Sequence, residues 1–183
     1  PYSYADLEES DVVVLVGSNL AIAHPILFER LQRNPHCPEV IVVDPRATET
    51  AMAATLHLPV APKSDQVLLY GIARALIARG AVDPAFVRDH TSGYAECASF
   101  VDAFDRDLVS AATGVEVALI DRAADAIAAG ERVSFWWTMG VNQSHQGVRT
   151  AQAIIDLALM TGNIGRPGAG ATSSRWWRMR GAH

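Results

Sequence analysis

At 183 residues, half of them apolar and 19% charged, the chain carries enough hydrophobic material for one folded domain with a proper core, which excludes intrinsic disorder. A formal net charge of −5 argues against general nucleic-acid binding, which needs a basic face, and the longest apolar runs fall well short of a membrane span. The two cysteines, Cys37 and Cys97, lie far apart without metal-ligand spacing, so neither a disulfide framework nor a cluster site is indicated and both are expected as buried or idle thiols.

The unbroken apolar run Val12–Val16 reads as a strand buried on both faces, as in a parallel sheet. It stops at Gly17-Ser18-Asn19, where glycine allows a turn and a close backbone approach and the next two side chains offer donors and acceptors; the same tripeptide is equally a plain turn. A helix is predicted over Pro25–Gln32, with proline in its first turn. Residues 40–43 form a second buried strand ending at Asp44-Pro45-Arg46, a short helix follows over 48–54, and 56–60 reads as a third strand closed by Pro62-Lys63-Ser64-Asp65. Asp65 is placed to cap a helix whose apolar residues Leu68, Leu69, Ile72, Leu76 and Ile77 recur at helical spacing up to Gly80. Further helices are expected from Pro84 to about Asp89, over 96–104 and over 116–129. Residues 132–137 give a fourth strand, broken at Thr138-Met139-Gly140, and a long apolar helix spans 150–160 before Gly162.

This alternation predicts a three-layer, Rossmann-like α/β domain: a mostly parallel sheet with helices on both faces, and a helical insertion over 81–114 outside the sheet. In such folds ligands sit outside the carboxyl ends of the strands, so the four strand-end peptides should share one edge. Asp44 lies near the step at which dinucleotide folds place a ribose-binding carboxylate, and a turn aspartate beside proline is the alternative. Arg46 can neutralise a phosphate or pair with a surface acid, and Lys63 can face a phosphate or remain solvated. Asp65 can cap its helix, or its two oxygens can accept the N1–H and N2–H₂ of a guanine, a pairing that rejects adenine. Met139-Gly140 lets backbone approach a flat ligand, and Asn142 and Gln143 supply amides. His24, His57 and His145 share no ligand spacing and read as helix-start, strand and loop residues, while Trp136 and Trp137 read as sheet packing.

Five stretches in this order resemble the molybdopterin oxidoreductases that carry a bis-molybdopterin guanine dinucleotide, most closely the assimilatory nitrate reductases. They are Val-Gly-Ser-Asn-Leu-Ala with His24-Pro25 after it, Val-Val-Asp-Pro-Arg-Ala-Thr, Leu-Pro-Val-Ala-Pro-Lys-Ser-Asp, Trp-Thr-Met-Gly-Val-Asn-Gln, and Leu-Met-Thr-Gly-Asn-Ile-Gly-Arg-Pro-Gly-Ala-Gly. The resemblance implies a dinucleotide-binding domain over 1–170, one piece of a larger cytoplasmic enzyme that reduces nitrate to nitrite and is inactive alone. It places Gly17, Ser18, Asn19 and Leu20 along the phosphate and ribose region. Asp44, Pro45, Arg46, Ala47 and Thr48 would surround the ribose and its phosphates, and Lys63, Ser64 and Asp65 would hold the guanine. Met139 and Gln143 would touch the pterin, with Gly140 and Asn142 adjacent. No residue of the chain is expected to be catalytic or to bind metal. Molybdenum and an iron–sulfur cluster belong to the larger enzyme, and this piece is expected without cofactor. Formate dehydrogenase and periplasmic nitrate reductase relatives, or a separate guanine-nucleotide-binding module, are the alternative readings. Implied partners are the remaining domains of the polypeptide, an electron donor and a small anionic substrate, without nucleic acid or membrane; self-association through faces meant for those domains is also expected. Residues 171–183 depart from the family's continuation and are expected as a disordered tail.

Overall fold

A computed structural model describes residues 5–173. The chain begins with α1 (Asp6–Glu9), β1 (Val12–Val16), α2 (Leu20–Ala23), α3 (Pro25–Gln32), β2 (Glu39–Val43), α4 (Glu49–Met52), β3 (Leu56–Leu58) and α5 (Asp65–Ala78). Three helices, α6 (Pro84–His90), α7 (Tyr94–Val101) and α8 (Arg106–Thr113), precede the return to the sheet. It then runs through α9 (Val117–Ala129), β4 (Val133–Trp137), α10 (Met139–Asn142), α11 (Gly147–Met160) and β5 (Gly170–Ser173).

The five strands form one sheet in the order β3-β2-β1-β4-β5, and every neighbouring pair is parallel. The expected helix-covered α/β class is what the chain adopts, with no antiparallel strand in the sheet among the described residues. All of β1 is buried. Its Val12, Val14 and Val16 join Leu68 and Ile72 of α5, Ile120 of α9 and Leu157 of α11 on one face. Val13 and Leu15 meet Leu7, Leu20, Leu27 and Leu31 under α1, α2 and α3 on the other, together with Trp136. A strand covered on both faces tolerates a polar residue only where a hydrogen-bond partner meets it, and β1, which has none, reads as a solid apolar run.

The amino edge of the sheet is locked by polar contacts. Arg132 donates from Nε and a terminal nitrogen to Asp11 Oδ1 at 3.1 and 2.6 Å, and its backbone N–H donates to Oδ2 at 2.9 Å. The buried Ser10 hydroxyl lies 2.9 Å from Ser134 Oγ and 2.8 Å from the Gly168 carbonyl. Asn163 Oδ1 accepts from the Val133 N–H at 3.1 Å.

Three expectations are corrected here. The break expected at residue 170 falls within β5, whose Gly170–Ser173 pairs with Ser134–Trp137 of β4; the rest of the expected tail, 174–183, lies outside the described residues. Gly-Ala-Thr-Ser has no apolar pattern, so its strand state comes from the open edge of β4 and not from propensity. The third strand ends at Leu58, since Pro59 cannot donate to a ladder. Of the two readings for the thiols, burial fails at Cys37, which is free and exposed, while Cys97 is free and partly buried. The single-turn helices α2 and α10 are too short to show a period and were not expected.

Residues 81–114 hold α6, α7 and α8, outside the sheet on the long crossover from β3 to β4. α6 docks on α11, while α7 and α8 dock on α5, where Tyr70 packs on Phe100 and Phe104 with ring centroids 5.0 Å apart in each pair. Gly71 allows the closest approach: a Cβ built there would lie 2.6 Å from Val109 Cγ2, and Val109 is fully buried. Gly71→Ala is expected to lower stability by about 1–3 kcal/mol through overpacking. Urea denaturation checks this, and Val109→Ala in the same chain should recover part of the loss, a coupling absent for distant pairs.

Candidate functional site

Because every strand runs the same way, the turns after β1, β2, β3 and β4 emerge along one edge. Gly17, at the end of β1, adopts a φ of +54° and donates its N–H to the Val43 carbonyl at 2.9 Å. Its own carbonyl accepts from the Gly140 N–H at 3.1 Å and from Thr138 Oγ1 at 2.8 Å. A Cβ on Gly140 would lie 2.7 Å from Gly17 Cα, so the β1 and β4 turns touch backbone to backbone and only glycine fits between them.

The two turns commit their other residues differently. Leu20 is fully buried in the core, and Ser18 is fully buried with no hydrogen-bond partner for Oγ. Asn19 donates to Glu49 Oε2 at 2.9 Å and accepts from Thr50 Oγ1 at 2.8 Å, so its amide ties α2 to α4. Asn142 is likewise occupied: Trp137 Nε1 donates to it at 3.2 Å, and it donates to Ser173 Oγ at 3.1 Å. Gln143, one residue on, is exposed.

After β2, Asp44 is only 7% exposed. Its Oδ1 accepts from the Arg46 N–H at 2.9 Å and its carbonyl lies 2.9 Å from His57 Nε2, which fixes the turn while Pro45, Arg46 and Ala47 stay exposed. Thr48 is buried and caps α4, with Oγ1 accepting from the Ala51 N–H at 3.2 Å. After β3, Lys63 is exposed with a φ of +74°, an uncommon backbone state for a side chain of its size.

Asp65 does not cap its helix. It is the first residue of α5; Ser64 holds the cap position and turns its hydroxyl to the Ala61 carbonyl at 2.7 Å. The half-buried Asp65 carboxylate accepts no hydrogen bond from any other described residue. Burial is the strongest influence on it and raises its pKa above the ordinary carboxylate range; its own backbone N–H pulls the other way, and the charge of Asp44 raises it again.

These turns enclose an open groove of about 550 Å³. Of the residues expected at a site, Gly17, Asp44, Pro45, Arg46, Lys63, Asp65, Met139, Gly140 and Gln143 line it. Ser18, Asn19, Leu20, Ala47, Thr48, Ser64 and Asn142 do not; most of them hold the turns in place from behind. Sequence reasoning missed Pro62, Ser144 and His145, which complete the lining. Each is the immediate chain neighbour of a predicted site residue or of another missed one, and that adjacency was the available signal. Among the described residues no cluster of three or more potential metal ligands occurs.

Residues 2–176 match the sequence profile of the molybdopterin oxidoreductase family. The chain belongs to that family. It is 40% identical over 177 residues to a nitrate reductase of Synechocystis, covering 94% of this chain and 25% of that protein. To the alpha subunit of an F420-dependent formate dehydrogenase of Methanococcus maripaludis it is 33% identical over 174 residues, covering 94% of this chain and 26% of that protein. Among solved structures, acetylene hydratase from Pelobacter acetylenicus superposes with a TM-score of 0.77 at 23% identity, over 91% of this chain and 25% of that one, a likeness of fold. This molybdopterin oxidoreductase chain thus spans about a quarter of the length of the relatives it matches. No helix among its described residues is long and apolar enough to cross a membrane.

A raised carboxyl destabilises the folded state once ionised, so the penalty at Asp65 is absent below the ordinary carboxylate range, sets in as pH rises towards the raised value, and is constant above it. Asp65→Asn is therefore expected to melt at a higher temperature than the parent at neutral pH, with the difference vanishing on acidification through the carboxylate range. Thermal denaturation from about pH 3 to about pH 8 checks this; equal melting temperatures at neutral pH would show that the Asp65 charge is not strained.

Proposed function

We propose that the groove holds the guanine dinucleotide end of a molybdopterin cofactor, and that the chain is the cofactor-binding domain of a nitrate reductase. The observation that carries this reading is Asp65, a half-buried carboxylate that accepts no hydrogen bond from any other described residue, in a groove whose cations are Arg46 and Lys63. A carboxylate held this way accepts the N1–H and N2–H₂ of guanine, whereas adenine offers an acceptor at N1 and leaves the charge unpaired.

The other residues fit the same group. The glycine contact between Gly17 and Gly140 keeps the groove floor free of side chains, and the orphaned Ser18 hydroxyl lies in the turn beside it. Arg46 and Lys63 complement a pyrophosphate. Asp44 has one oxygen fixed by the Arg46 N–H and the other available to a ribose hydroxyl. Met139 and Gln143 face the pterin, as the resemblance implies. In the whole enzyme the molybdenum centre supplies two-electron oxygen-atom transfer, with electrons delivered through an iron–sulfur cluster outside this chain. This chain's part is to bind and orient.

Nitrate is favoured over formate as the substrate by the higher identity to the Synechocystis nitrate reductase, 40% against 33% for the formate dehydrogenase. A cytoplasmic setting, a separate electron donor and contacts with further domains of one polypeptide belong to the same proposal. Assay of the complete gene product for nitrate reduction against formate oxidation separates the two substrates.

The cofactor reading is tested on the chain itself by calorimetry with GDP and ADP. GDP should bind, weakly because the groove is a single open wall, and more tightly than ADP. Asp65→Ala should weaken GDP by roughly ten- to a hundredfold, the loss of a charge-assisted pair, and leave ADP unchanged. Equal affinity for the two nucleotides, or an unaltered GDP affinity in the variant, would overturn the assignment.

A further inference from the structure

A second pocket lies away from the groove, where α6 and α7 meet α11. Its volume is about 240 Å³, and Val87, Tyr94, Leu159 and Met160 form apolar walls around Asp156 and Cys97. Asp156 is the one charged residue of this lining, and none of the described residues hydrogen-bonds or ion-pairs with it. Arg88 of α6 is not part of this lining and pairs with its neighbour Asp89 through two contacts of 2.7 and 2.8 Å. Burial raises the Asp156 carboxyl above its ordinary range with no compensating contact, and burial also raises the Cys97 thiol, with the charge of Asp156 adding to it.

Asp156 is half-buried among apolar side chains, and a carboxylate partly withdrawn from water without a counter-charge is stabilised by a cation beside it. Asp156 could sit on the solvent side of α11 at no such penalty, yet it stands on the side that meets α6 and α7. We infer that this pocket is a cation site that takes a guanidinium or ammonium group on a short alkyl stem, with the charge on Asp156 and the stem against Val87, Tyr94 and Leu159. The volume suits a chain of a few carbons and is too small for a nucleotide. Nothing in this inference depends on what the groove binds.

Cys97 reports on the site from within it. With Cys37→Ser as background, Cys97 is the sole thiol of the chain. Its rate of modification by the cationic reagent 2-(trimethylammonium)ethyl methanethiosulfonate should exceed that by the anionic 2-sulfonatoethyl reagent by about tenfold at low salt. In Asp156→Asn, which changes no volume, the ratio should fall to near one; in the parent it should fall at high salt. n-Butylguanidinium and n-butylammonium should protect Cys97, and n-butanol at the same concentration should not. In a longer polypeptide containing this chain, protection without any additive assigns the cation to a lysine or arginine side chain. Protection only by the added amines assigns it to a free ligand. A ratio near one in the parent, a ratio unchanged in Asp156→Asn, or equal protection by n-butanol would each overturn the cation site. The salt dependence in the parent decides the matter if the variant fails to fold.

Discussion

Burial of β1 on both faces is the constraint from which the rest of this structure follows. A central strand covered by α5, α9 and α11 on one side and by α1, α2 and α3 on the other is apolar at every position, so chemistry is displaced to its ends. Parallel pairing then puts all carboxyl ends on one edge. The polar residues that cannot lie in the sheet accumulate there, and the groove between the turns is the outcome. At the opposite edge Asp11 pairs with Arg132, and Ser10 pairs with Ser134 inside β4, which holds the sheet together.

The family motifs divide along the same line. Gly162 to Gly170 carries much of the resemblance, yet it lies at the amino edge: Asn163 receives the first N–H of β4, and Gly168 packs so close to α1 that a Cβ would come within 2.9 Å of the Glu9 backbone. Its work is to bring the chain round into β5. Asn19 and Asn142 are also structural, each spending its amide on a neighbouring element. Asp44, Arg46, Lys63, Asp65 and Gln143 are left facing the groove. Asp65 and Asp44 repel one another in a half-buried setting, and such strain is more common at binding sites than in scaffolds.

The extent to which this was legible in the sequence depends on what each element rests on. β1, α3, α5 and α9 follow from apolar runs or helical spacing, signals carried within each segment, and they lie within a residue or two of where the pattern put them. The start of α11 at Gly147 and not Thr150 belongs to a turn whose one apolar residue, Val148, is exposed and so adds nothing to the buried face. β5 has no internal signal, and Asp65 illustrates a subtler failure. A carboxylate before a helical run reads as a cap, but the Ser64 backbone occupies that position, which moves Asp65 one residue into α5 and frees its oxygens for the groove.

Composition and periodicity therefore determined the class of fold, the apolar strands, the long helices and the residue types at each strand end, because burial and local hydrogen bonding act over a few residues at a time. Tertiary structure decided which of those strand-end residues face the groove and which brace a turn, that Gly17 and Gly140 meet, that Gly170–Ser173 is a strand, and that Asp156 stands over a pocket. Those outcomes depend on pairings between residues distant in the chain, from 36 positions for β4 with β5 to more than a hundred for Gly17 with Gly140, or on the packing of one helix against another, and no local pattern encodes such a contact.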